Sequence, residues 1–73
     1  MEPNKKQLIE AGSDIAAARN RMSDQEFKDY IGGIAVIALG VMYEEEGRKF
    51  YKGFLQGALK NPQPIRFEKA TMQ

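Results

Sequence analysis

Between Tyr30 and Tyr43 the chain reads YIGGIAVIALGVMY, a stretch without a single charge. It is too short to cross a bilayer as a helix, which takes about 20 residues, so a buried helix is the better account. On a helix, Phe27, Tyr30, Ile31, Ile34, Ala38 and Val41 make an inner stripe. Val36, Ile37 and Leu39 fall on the other sides, leaving the second half of the helix apolar all round. Such a helix needs protein on every face, and one chain of 73 residues has only two short companions to offer. The expectation is therefore an oligomer that shares this helix, with Gly33, Ile37, Gly40 and Phe54 at its contacts. The plainer alternative is a loosely packed monomer with some exposed aliphatics.

Composition narrows the chemistry. Cys, His and Trp are absent, so zinc clusters, His-based triads and imidazole acid–base steps are not open to these side chains. No disulfide can supplement the thin core of a chain this size. Eleven Lys and Arg against ten Asp and Glu leave a net charge of +1, far from the excess of a DNA-coating module. The start, MEPNKKQLIEAGSD, is charged and lacks the apolar run of a signal peptide, which points to the cytoplasm. Asp24 with Glu26, and the run Glu44 to Glu46, read as acids at helix starts. Magnesium binding by the run is disfavoured, because adjacent helical positions do not face one another. No phosphate-cradling loop or nucleophile elbow is present. The reading is a non-enzymatic binding protein with no cofactor, no metal and no membrane or DNA partner.

The expected fold is all-α: a three-helix domain over residues 1–60 and an extended arm over 61–73. Helix one opens at the cap Asn4 and runs to about Met22, with Leu8, Ala11, Ile15, Ala18 and Met22 as its stripe. Gly12 lies beside that stripe, where close approach of another backbone would explain a residue that is costly inside a helix. Ser23-Asp24-Gln25-Glu26 fits a capping box, flanked by Met22 and Phe27 as a hydrophobic staple. Helix two then runs from Asp24 to near Met42, and helix three from about Tyr43 to Lys60. The two are either continuous or kinked near Gly47, and because Glu44 to Glu46 would suit a fresh N-terminus, a kink or break between Tyr43 and Gly47 is expected over one straight rod. Glu44 with Arg48 and Glu45 with Lys49 are helix-spaced pairs. Asn61-Pro62 ends the last helix. In the arm, Ile65 and Phe67 alternate with Arg66 and Glu68; this is either a disordered tail or a strap laid on another surface.

Two groups suit an anion. Arg48, Tyr51 and Lys52 stand at i, i+3 and i+4, a ring beside two cations, which suits a phosphate joined to a base. Arg19 and Arg21 end helix one, where Lys5 returns to nearly the same face as Arg19. Each group also reads as ordinary solvated cations, with Tyr51 in the core.

A capped helix ending in ARNRMSDQEF, the Gly/Ala-rich YIGGIAVIALGVMY and the final GRKFYKGFLQGALK together resemble the small phage proteins that counter CBASS immunity. The resemblance covers about residues 5–60. It implies a helical homo-oligomer, a hexamer in the family, that sequesters cyclic di- and trinucleotide messengers in the host cytoplasm without degrading them. It implies contacts from Arg21 and the hydroxyl of Ser23 to a dinucleotide, and from Arg48 to a trinucleotide. The chain departs from the family in having no aromatic on helix one. Either Tyr51 or Tyr43 of another subunit replaces that ring, or the dinucleotide pocket is altered. The rival reading is an adaptor or inhibitor that binds a host protein through the apolar helices and the Ile65/Phe67 arm.

Overall fold

The computed structural model describes residues 4–69, and within them the chain forms helices and no strand. Two helical elements stand where three were expected: α1, Lys5–Arg21, and α2, Asp24–Lys60. The outermost parts of the expected domain and arm, residues 1–3 and 70–73, lie outside the described residues.

Local chemistry sets the ends of both helices. The Asn4 side chain accepts from the Lys6 amide at 2.8 Å, satisfying one of the first-turn donors that have no partner inside a helix. Arg19 and Arg21 lie in the last turn of α1, where cations complement the helix dipole. At the start of α2 the capping box is present in both directions. The Glu26 amide donates to Ser23 Oγ at 3.2 Å, and the Ser23 amide donates to Glu26 Oε1 at 2.9 Å. At the far end the Asn61 amide donates to the Gly57 carbonyl at 3.0 Å, and Pro62 then stops the helix.

α2 does not end near Met42. Its backbone stays helical to Gly47, where φ 87° and ψ 169° leave the helical region, and helix follows again to Lys60. That conformation is essentially restricted to glycine. The acidic run Glu44 to Glu46 therefore comes before the interruption and does not open a new helix. The interruption also falls between Glu44 and Arg48, and between Glu45 and Lys49, so neither pair has regular i,i+4 geometry. Among the described residues the ion pairs are Arg19–Asp24 and Arg66–Glu68.

The chain divides into two compact units. The described part of the first comprises residues up to Lys28 together with Arg66 onward. Ala18 is fully buried there, and Ile15, Met22, Phe27 and Phe67 are half-buried. The second unit is Asp29–Ile65, and no residue of α2 is fully buried. Its rings pair along the chain: Tyr43 meets Tyr51 edge-on at 5.2 Å, and Phe50 stacks with Phe54 at 6.4 Å. Its aliphatics are open, with Val36 72% and Ile37 69% exposed. No helix among the described residues is long and apolar enough to cross a membrane.

Gly12 has no close neighbour among the described residues, since a Cβ built on it meets nothing within 4 Å. The same is true of Gly33 and Gly40. Nothing among the described residues explains the small side chains at these positions.

Candidate functional site

The two basic groups proposed from sequence fare differently. Arg19 is engaged within the first unit. Its Nη2 donates to Asp24 Oδ1 at 2.7 Å, and its Nε donates to the Phe67 carbonyl at 3.3 Å. Its guanidinium carbon stands 5.2 Å from the centre of the Phe27 ring, within cation–π range. The side chain is only 17% exposed, and Nη1 is buried with no hydrogen-bond partner among the described residues. Arg19 thus ties the end of α1 to the start of α2 and to the chain near Phe67. The guanidinium also holds the Asp24 carboxyl below its ordinary range, by its hydrogen bond first and its charge second.

Ser23 is likewise occupied as a cap. Its backbone N–H and then its hydroxyl hold the Glu26 carboxyl below the ordinary range. Arg21 is exposed and is in neither of the two ion pairs. Of the first unit's candidates Arg19, Arg21 and Ser23, Arg21 is the one whose side chain takes no such role among the described residues.

In the second unit, Arg48 is the first residue after the interruption at Gly47. Arg48 and Lys52 are both exposed, and among the described residues neither takes part in an ion pair. Tyr51, three residues on from Arg48, is half-buried. Its ring lies edge-on to Tyr43, the planes at 79°. In an unbroken helix, residues eight apart are separated by about 12 Å along the axis. The non-helical backbone at Gly47 is what lets these two rings meet. Tyr43 keeps 48% of its surface exposed, so the ring pair leaves aromatic surface open. The sequence reading missed the Tyr43 partnership; the signal was a glycine midway between two tyrosines.

Phe54 is half exposed and lines an open apolar cleft of about 430 Å³ with Gly53, Gly57, Ala58 and Pro62. None of the candidate cations lines that cleft. Among the described residues no three acidic side chains gather in a way that could hold a metal ion.

Comparison with family models, curated proteins and solved structures finds no match to the chain.

Proposed function

We propose that this chain is a non-catalytic binding protein that self-assembles and sequesters a cyclic di- or trinucleotide messenger, as the small phage anti-CBASS proteins do. In this reading it works in the host cytoplasm. The observation that carries it is the group Arg48, Tyr51 and Lys52: two exposed cations with no ion pair among the described residues beside a half-buried ring whose partner, Tyr43, stays half open. Cations and an aromatic face are what a phosphate–base ligand requires. A single copy offers few of these groups, so several copies would have to line one ligand. The exposed Val36 and Ile37 of α2 support such an assembly. Arg21 is the candidate for a second, dinucleotide contact. Arg19 and Ser23 support the site at most by holding the junction at which Arg21 sits.

The test is thermal melting against a panel of cyclic di- and trinucleotides. A ligand that binds only the folded state raises the midpoint. Arg48→Ala should remove the shift for at least one nucleotide class while far-ultraviolet circular dichroism stays unchanged. The second reading, an adaptor for a host protein, draws on Leu59 and Ile65, both largely exposed. It prevails if no nucleotide moves the midpoint and a purified host protein binds with defined stoichiometry.

A further inference from the structure

The uncharged stretch of α2 reads nearly the same in both directions. About a midpoint between Val36 and Ile37, Tyr30 mirrors Tyr43, Ile31 mirrors Met42, and Gly33 mirrors Gly40. Ile34 mirrors Leu39 and Ala35 mirrors Ala38; Val36 and Ile37 differ by one methylene, and only Gly32 and Val41 differ by more than that in bulk. On the helix, Gly33, Val36, Ile37 and Gly40 are spaced i, i+3, i+4 and i+7, and so share one face. That face is uncovered: all four residues are exposed, and both glycines have open space where a Cβ would stand.

We infer that this face packs against the same face of a second copy as an antiparallel, two-fold pair. Gly33 of one copy lies opposite Gly40 of the other, and Val36 opposite Ile37. The inference rests on the self-assembly part of the proposed function and is independent of the ligand.

A two-fold interface has to be complementary to itself, residue i meeting j and j meeting i. A helix face whose residue order is its own reverse meets that condition, whereas binding to an unrelated protein requires no such symmetry. Glycines at both ends let the backbones approach, and the two aliphatics fill the middle. The face carries no charge, so pairing buries no unpartnered ion. A net charge of +1 does not hold copies apart. Asp29 of one copy would come opposite Glu44 of the other just outside the apolar stretch. Both are exposed, where like-charge repulsion is screened by water and salt.

The chain has no cysteine, so introduced thiols report directly on the pairing. Residues 29 and 44 are separated by about 22 Å along an α-helix, while a disulfide needs Cα atoms within about 7 Å. Full-length Asp29→Cys and Glu44→Cys proteins, mixed and mildly oxidised, should give the mixed covalent dimer in clear excess over either protein alone. Equal or greater cross-linking of each variant with itself overturns the antiparallel arrangement. Absence of any cross-link, with the parent sedimenting as a monomer at tens of micromolar, overturns the pair altogether. Ile37→Lys places an ammonium in the contact and should weaken self-association by about tenfold or more, with unchanged helicity; unaltered association also refutes the proposal. The nucleotide melting test separates the two claims. A mixed dimer without a nucleotide shift leaves the pair standing and removes the ligand, and a shift without the mixed dimer does the reverse.

Discussion

The helical chain is interrupted twice, at Ser23 and at Gly47, and the two interruptions are held by different forces. At Ser23 side chains hold it: the reciprocal bonds between Ser23 and Glu26, and Arg19 reaching Asp24 and the Phe67 carbonyl. At Gly47 the backbone itself departs, with φ 87° and ψ 169°, and the neighbouring contact is between rings, Tyr43 against Tyr51. The first interruption is spread over several replaceable groups. The second rests on one residue type, because a side chain at that φ is strained wherever it points. Loss of one polar group should therefore produce graded damage at Ser23, and loss of the glycine should produce abrupt damage at Gly47.

Gly47→Ala is the severest test of that contrast. It should lower stability by about 1–3 kcal/mol in urea denaturation and change the tyrosine near-ultraviolet circular dichroism, as Tyr43 and Tyr51 lose their edge contact. A variant as stable as the parent, with the tyrosine signal intact, would show that the interruption does not depend on glycine.

Arg19→Ala should be milder, at roughly 1–2 kcal/mol, for loss of a cation–π contact and hydrogen bonds from a charged donor. Asp24→Ala should cost less than Arg19→Ala, since it removes only a solvent-exposed ion pair. Arg19→Lys should restore only part of the loss, because an ammonium cannot serve Asp24, the Phe67 carbonyl and the Phe27 ring with a planar fork. If Arg19→Ala leaves stability untouched but alters nucleotide binding, Arg19 belongs to the ligand and not to the junction.

The same contrast explains what the sequence made legible. The Asn4 and Ser23 caps follow from residues within three positions of each other, so the helix starts could be read directly. The interruption at Gly47 could be placed only approximately, and the acids misled. Glu44 to Glu46 suggest a helix beginning because charge–dipole preferences favour it, yet those are worth only tenths of a kcal/mol to about 1 kcal/mol. The backbone conformation open to Gly47 outweighs them. Arg19 was legible as a basic residue at a helix end but not as a clamp, since Phe67 lies 48 positions away and no local rule links them. Arg48, Tyr51 and Lys52 were legible as neighbours by helical spacing; the ring's orientation was not, because Tyr43 reaches it from before the interruption.

Acid provides the smallest and most selective test. Asp24 and Glu26 both have lowered carboxyl pKa values, from the Arg19 hydrogen bond and charge in one case and the Ser23 N–H and hydroxyl in the other. The unfolded chain therefore takes up these protons more readily than the folded one. Their contribution to stability is complete above the ordinary carboxylate range, near pH 4, and is lost as pH falls through the lowered folded values. Glu26→Gln keeps an acceptor for the Ser23 amide without a titrating group. Urea midpoints measured from pH 7 downward should fall less steeply for Glu26→Gln than for the parent. Gly47→Ala, which leaves both carboxyls and their partners in place, should retain the parent's acid slope from a lower starting stability. If Gly47→Ala flattens the slope instead, the two interruptions are energetically coupled and the contrast between them fails.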